Sequence, residues 1–486
     1  MFKSGFFMMI ITLVSRVLGL ARSVVIAYYF GASASTDAFF SAFKISNFFR
    51  QLLGEGALGT SFIPLYNEKV KVQGEEEGRN FIFSIMNIVF IFSIVVAIFT
   101  AIFSKEIIGF IVGGFSHETQ MIASYLLRIM SSYFIFIALA GMMGAILNNF
   151  RCFALPASTS IFFNLAILGS AIFFGRKYGI QAMAYGILVG GAMQLLILIP
   201  TFLKKVRGYK FKIIFKDEYL KKLLFLILPM LVGIFARQIN TMIDQFFASY
   251  LQSGGVSALE NATRLYSLPI GVFGISISTV IYPTLSKKIV NNDLKAVEDN
   301  ILKGLNILMF FVIPSMAVFC FYSKEVVSLL FGYGKFGEEA VNVTGSALLF
   351  YSLGLYFYTA IHLLTRSFYG MKNSKDPVKF SVISIIINIV LNALLIGPLK
   401  YRGLALSTSI AAMCNFYLLF FYFRKKYIKL SFKPLVKFKT KVLITTAISI
   451  LGSFYIDNII IKLGIFSLIY LSLWAYPIYK KKLEVF

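Results

Sequence analysis

The sequence predicts an all-α integral membrane protein with fourteen transmembrane helices, and three observations carry that expectation. Of its 486 residues, 58% are apolar and only 14% charged, against roughly 25% charged in soluble globular chains. Mean hydropathy is +0.81. Apolar windows of about 20 residues, the length that crosses a bilayer's hydrocarbon, recur along the whole chain. The stretches left over, near 66–80, 204–222 and 424–441, are too short to bury a core, which excludes a separate soluble catalytic or ligand-binding domain.

In order, the windows lie at about 5–30, 36–65, 80–103, 119–148, 154–175, 180–203, 223–250, 256–286, 304–323, 340–371, 378–397, 403–423, 442–458 and 463–479. The first, within MFKSGFFMMIITLVSRVLG, has no small-residue cleavage site and meets Arg16 early, so it reads as an uncleaved helix. With the N-terminus inside, the cytoplasmic connections hold 31 of the 47 Lys and Arg residues, the outer connections 8 and the spans 8. Basic residues favour the cytoplasmic side, so both termini are expected there and the helix number is even. The net charge of +26 is then explained by loops that meet anionic lipid, without a nucleic-acid partner. Cys152, Cys320 and Cys414 are too far apart in sequence for a disulfide framework or a CxxC site.

An internal repeat shapes the architecture. GALGTSFIPLYNEKV resembles GISISTVIYPTLSKKIV, with Pro64 against Pro283, and LNNFRCFALPAS resembles FYGMKNSKDPVK, with Pro156 against Pro377. The offset covers six helices, an even number, so both copies enter the membrane in the same direction. Two six-helix lobes related by a pseudo-two-fold axis along the membrane normal are expected, as in parallel-repeat transporters, with a cavity between them. The expected parts are an N-lobe at 1–204, a basic linker at 205–222, a C-lobe at 223–424, a second basic linker at 425–441, and two extra helices at 442–486.

The basic residues within the spans are Arg16, Arg22, Lys44, Arg50, Arg128, Arg237, Arg264 and Arg366. A charge at mid-bilayer costs roughly 2.5–3.5 kcal/mol on insertion scales, so such residues point to function. Most fall in helices 1, 2, 7 and 8, while their acidic counterparts are only Asp37, Glu55, Asp244 and Glu260. A net positive cavity follows, and guanidinium groups grip phosphate bidentately, so the passenger is expected to be anionic and phosphate-bearing. Arg16 and Arg22 lie about 120° apart on an ideal helix, and share one cavity only if the helix is distorted near Gly19 or if they sit at different depths. Arg128 and Arg366 lie near helix ends, where snorkelling to the interface is the alternative.

On helix 2, Asp37, Ser41, Lys44, Gln51 and Glu55 form one polar stripe. The stripe either lines the cavity or closes a buried network such as Asp37 with Lys44. Gly54 and Gly56 flank Glu55 and suggest a bend. Helix 7 carries Arg237, Asn240, Thr241 and Asp244 on one face, helix 11 carries Asn388 and Asn392 one turn apart, and Thr408 follows in helix 12. Such oxygens suit a hard monovalent cation such as Na+, or act as hydrogen-bond glue between helices. His117 and His362 are far apart without a ligand cluster, and no GxSxG, HExxH or P-loop motif is present. No enzymatic cofactor is expected, and ATP is not the direct energy source.

Ser15 to Glu68, SRVLGLARSVVIAYYFGASASTDAFFSAFKISNFFRQLLGEGALGTSFIPLYNE, strongly resembles the MurJ (MviN-type) lipid II flippases of the MOP transporter superfamily. ILNNFRCFALPA, LFGYGKF, FYGMKNSKDPVK and NIVLNALLIGPLKYRGLALSTS extend the resemblance over most of the chain. It implies a fourteen-helix flippase of the bacterial cytoplasmic membrane, moving the undecaprenyl-pyrophosphate-linked peptidoglycan precursor to the outer leaflet. Lipid II is the implied partner, with cell-wall synthesis proteins as further ones. By resemblance Arg22, Arg50 and Arg264 match the headgroup arginines, Arg16, Asp37 and Glu55 fall on motif positions, and helices 13 and 14 look like the pair that forms a groove for the polyprenyl tail. Asp244, Asn388, Asn392, Leu404 through its carbonyl, and Thr408 align with a sodium site. The chain departs from the family pattern at Ser23, Gln51, Thr263 and Asn392; the last removes an anionic ligand from the sodium set.

Other readings are separable on the sequence. Another MOP exporter, of oligosaccharide-lipid or of drugs, shares the repeat; the arginines of helices 1 and 2 oppose cationic drugs, and the two extra helices are unneeded. A polyprenyl-phosphate membrane enzyme would require an acidic metal or catalytic cluster on a loop, which is absent. A scaffold leaves the interior arginines unexplained.

Overall fold

The computed structural model describes residues 2–53, 57–214, 217–428, 430 and 432–479. Within these helices the side chains of 2–9, 52–53, 57–60, 229–234, 236–237, 432–434 and 476–479 are not described. Glu55, with the bend expected at Gly54 and Gly56, lies outside the described residues.

Every regular element among the described residues is a helix. The first half contains α1 (Phe2–Phe30), α2 (Ala34–Leu53), α3 (Ala57–Gln73), α4 (Glu75–Ile102), α5 (Ser104–Ile111), α6 (His117–Ser131), α7 (Tyr133–Asn149), α8 (Ala154–Tyr178) and α9 (Gln181–Lys205). The second contains α10 (Glu218–Ala248), α11 (Gly255–Pro269), a π turn (Ile270–Ile275), α12 (Ser276–Val290), α13 (Leu294–Phe321), α14 (Ser323–Phe331), α15 (Glu338–Ser352), α16 (Leu355–Gly370), α17 (Lys375–Leu399) and α18 (Tyr401–Lys426). α19 (Phe432–Ser453) and α20 (Ile459–Tyr479) follow. Helix starts carry their own signals: Ser116 Oγ accepts from Thr119 N at 3.3 Å, Asp217 Oδ1 from Tyr219 N at 2.9 Å and Asp293 Oδ1 from Ala296 N at 3.1 Å. The π turn follows Pro269, whose missing N–H and bulky ring interrupt regular winding. α10 and α19 begin inside the two segments expected to be linkers.

Among the described residues, eight helices are long and apolar enough to cross a membrane, or ten if the bent pairs α6–α7 (42°) and α15–α16 (44°) each count as one span. The expectation of fourteen goes further than length and apolarity show. α2 misses because it carries Asp37, Lys44 and Arg50, and α19 because its first half carries Lys437, Lys439 and Lys441.

Element boundaries repeat between the halves. α4 and α13 begin at 75 and 294 and end at 102 and 321, an offset of 219 at both ends. α6 and α15, and α8 and α17, repeat at 221. Local geometry repeats as well. Arg151 and Lys372 both adopt the left-handed conformation, φ 60° and 56°, and the next residue closes back on the helix, Cys152 N to Leu147 O at 2.9 Å and Asn373 N to Phe368 O at 3.0 Å.

The chain packs as two compact units, Met1–Ser257 with Tyr333–Phe336, and Ala258–Gly332 with Gly337–Phe486. In the first, residues of α3, α4, α7, α9 and the first turns of α10 form a shared core, while α1 lies along α8 and α8 along α9. α10 packs against α2, α3 and α5. The segment entering α10 is tied down along α4: Asn87 Nδ2 donates to the Lys210 and Lys212 carbonyls at 3.4 and 3.1 Å, Ile214 N donates to Ser84 Oγ at 2.9 Å, and the Tyr209 hydroxyl donates to Asn87 Oδ1. Burial pushes the Tyr209 phenol above its ordinary pKa, so it stays a donor at neutral pH. Lys69, buried between the Phe81 and Tyr219 rings, pairs with Asp217.

In the second unit α13 packs against α16 and α19, and α18 against α15, α16 and α17. α19 and α20 are fixed by aromatic and polar contacts. Trp474 is fully buried, meets Phe310 edge-on at 5.2 Å and donates to Thr445 Oγ1 at 3.0 Å, while the Tyr470 hydroxyl donates to the Phe310 carbonyl at 2.8 Å. In lipid such interhelical hydrogen bonds contribute about 0.6 kcal/mol on average, so ring packing carries much of the docking.

Candidate functional site

On α1, Arg22 is 7% exposed and its guanidinium lies 5.4 Å from the centre of the Phe43 ring. Phe43 stacks in turn on Phe39 and Phe163, at 5.9 and 6.5 Å. A ring face is one of the few apolar surfaces that attracts a cation, so the aromatic side chains of α2 and α8 offer this charge a favourable surface. Arg16 is half-buried. Immediately before Arg16, α1 is clamped to α8. Asn164 Nδ2 donates to the carbonyls of Ser15 and Ser160 at 3.3 and 3.0 Å, and Ser15 Oγ donates to Ser160 Oγ at 2.9 Å. Ser15, Ser160 and Asn164 were not marked by the sequence, because a small polar residue on an apolar helix looks the same whether it clamps or faces lipid. On α2, half-buried Arg50 donates from Nε to Asn47 Oδ1 at 3.0 Å.

The polar stripe of α2 has other partners than the sequence suggested. Asp37 is not held by Lys44. Its Oδ2 accepts from Gly254 N at 2.6 Å, and its Oδ1 accepts from Ser257 N at 2.7 Å and Ser257 Oγ at 2.6 Å. The carboxylate thus caps the N-terminus of α11, where unsatisfied N–H groups and the helix dipole favour an anion. Lys44 Nζ donates to Gln245 Oε1 at 2.9 Å, Gln245 Nε2 to Ser41 Oγ at 2.7 Å, and Gln51 meets Gln238. The stripe is therefore read by two glutamines, seven residues apart on α10. The turn between α1 and α2 sits close by. Gly254 (φ +86°) would place a Cβ 2.6 Å from the Ala32 carbonyl oxygen, and Gly31 (φ +66°) one 2.5 Å from that of Lys335, so both positions need glycine for backbone conformation and for space.

In the second unit, Arg264 on α11 has Nη2 3.3 Å from Glu260 Oε1, with the two side chains 33% and 16% exposed. Arg366 is half-buried, Arg128 is exposed, and the Arg237 side chain lies outside the described residues.

The oxygen set divides between the units. Asp244, in the first, accepts from Asn240 Nδ2 at 3.3 Å. In the second, Asn388 and Asn392 are buried on α17 and joined by Asn392 Nδ2 to Asn388 Oδ1 at 3.2 Å, and the Leu404 carbonyl on α18 accepts from Thr408 Oγ1 at 3.0 Å. The donor types fit a hard monovalent cation, although Asn388 Oδ1 and the Leu404 carbonyl each already accept a hydrogen bond. Among the described residues no three His, Cys, Asp or Glu side chains gather to hold a metal ion.

Comparison with known proteins assigns the family. The model of the family "Lipid II flippase MurJ" matches residues 26–473. The probable lipid II flippase MurJ of Buchnera aphidicola subsp. Baizongia pistaciae (strain Bp) is 35% identical over 427 residues, 86% of this chain and 82% of that relative. A solved structure described as "Lipid II flippase MurJ, inward closed conformation" is 32% identical with a TM-score of 0.85, covering 98% of this chain and 99% of that one. An inward-facing multidrug transporter of the MATE family, within the MOP superfamily, shares the fold at 15% identity and a TM-score of 0.75, covering 87% of this chain and 98% of that one. Together with arginines on membrane helices, these likenesses place the chain: it belongs to the MurJ family of lipid II flippases.

Proposed function

We propose that the protein moves lipid II, the undecaprenyl-pyrophosphate-linked peptidoglycan precursor, from the inner to the outer leaflet of the bacterial cytoplasmic membrane by alternating access. The observation that carries this reading is a flippase-family chain with Arg16, Arg22, Arg50 and Arg264 on its membrane helices. The arginines bind the pyrophosphate-sugar headgroup, with Asp37 and Glu55 as accompanying acids, while the polyprenyl tail stays in the bilayer along helices 13 and 14. Lobes of helices 1–6 and 7–12, related by a two-fold axis along the membrane normal, rock to expose the headgroup outside, and both termini stay in the cytoplasm. No covalent step is needed. One charge moved through the membrane field is worth about 2.3 kcal/mol per 100 mV, so the membrane potential or a cation gradient drives the reset, with Asp244, Asn388, Asn392, Leu404 and Thr408 as the cation's oxygens.

The test is replacement of Arg22, Arg50 or Arg264 by alanine. Each variant is expected to insert in the membrane yet fail to support growth of a bacterium depleted of its own flippase. Normal growth with any one of them removes that residue from the site.

A further inference from the structure

The three headgroup arginines differ in what holds them. Arg22 lies over the Phe43 ring, and Arg50 Nε donates to the Asn47 amide oxygen. Arg264 meets a carboxylate. Glu260 and Arg264 are the two charged residues of α11, with Nη2 and Oε1 3.3 Å apart, in the acid-before-base order that suits an i,i+4 pair on a helix. Arg264 Nε is buried and has no hydrogen-bond partner, so the Glu260 contact does much to set how the guanidinium is turned.

A carboxylate and a phosphate compete for a guanidinium, because both present paired oxygens to the same planar fork. A transport site must also release what it captures, and a carboxylate that competes for the Arg264 guanidinium favours release. We propose that Glu260 is a positioning residue of the headgroup site: it holds Arg264 in the unloaded protein and gives it up to the pyrophosphate on loading, which weakens ground-state binding enough for release. This rests on the reading of Arg264 as a headgroup ligand.

The experiment measures lipid II binding by the purified full-length chain in nanodiscs, with E260Q, E260Q/S267E and R264A. Ser267 is exposed, and its hydroxyl donates to the Arg264 carbonyl at 2.9 Å. A glutamate there restores a carboxylate three residues from Arg264, on the same face of the helix. E260Q is expected to bind lipid II about two- to fivefold more tightly, the range such a partly exposed pair carries, and E260Q/S267E to return to the parent affinity. Loss of a merely structural contact would not tighten binding. Unchanged or weaker binding by E260Q, or a double variant that stays like E260Q, overturns the proposal. If E260Q does not insert, E260D takes its place, with smaller tightening expected and none overturning the proposal. R264A tests the underlying site separately: parent-like binding there sinks the headgroup reading, whereas lost binding in R264A with no change in E260Q sinks the Glu260 proposal alone.

Discussion

Asp37 shows how a single buried charge ties distant parts of the chain together. Its carboxylate accepts three hydrogen bonds from Gly254 and Ser257 and is 2% exposed. Asparagine at this position would keep the shape but lose the charge and leave one acceptor, so Asp37→Asn is expected to cost about 1–3 kcal/mol of stability, read as a lower unfolding temperature of the purified protein. Unchanged stability with lost lipid II transport would instead make Asp37 a substrate ligand alone. The sequence marked Asp37 because a carboxylate in an apolar span is expensive wherever it lies. It did not reveal the partners, because two of the three donors are backbone N–H groups more than 200 residues away, and such groups carry no residue-type signal. Pairing with Asp37 was one of two readings offered for Lys44; the structure instead shows Lys44 Nζ donating to Gln245 Oε1, a neutral acceptor that periodicity does not single out.

At the scale of elements, periodicity and punctuation located most helices within a few residues, and the Pro64–Pro283 and Pro156–Pro377 matches foretold the repeated boundaries of α4 with α13 and α8 with α17. Packing was less legible. The 205–222 stretch reads as a basic linker, yet the structure binds it to α4 through Asn87 and Ser84 and starts α10 at Glu218. Asn87 and Ser84 supply side-chain partners to backbone groups of an extended segment, which hydropathy cannot see. Asn87→Ala removes the donor to two of those carbonyls and the acceptor of Tyr209. Limited trypsin digestion is expected to cut after Arg207, Lys210 or Lys212 several times faster in that variant, because cleavage follows local opening. Equal rates would show that the side-chain ties do not hold the segment.

For the whole molecule, the high apolar content and low charged fraction pointed to a membrane protein, and the resemblance named the family that the comparisons then showed. If the oxygens of Asp244, Asn388, Asn392, Leu404 and Thr408 bind Na+, replacing Na+ by K+ on both sides of the membrane is expected to slow repeated transport cycles several-fold, while a rate indifferent to the exchange assigns those residues to helix packing. With Asn392 where an acid would supply a second charge, one carboxylate has to offset the cation's dehydration.

Translocation by the purified chain in liposomes tests the central claim most directly. With lipid II placed in one leaflet and a membrane potential imposed, the protein is expected to deliver the headgroup to the opposite leaflet, and a polyprenyl lipid lacking the pyrophosphate is expected to stay behind. Movement of both lipids at the same rate, or of neither, would contradict capture through the diphosphate by arginines.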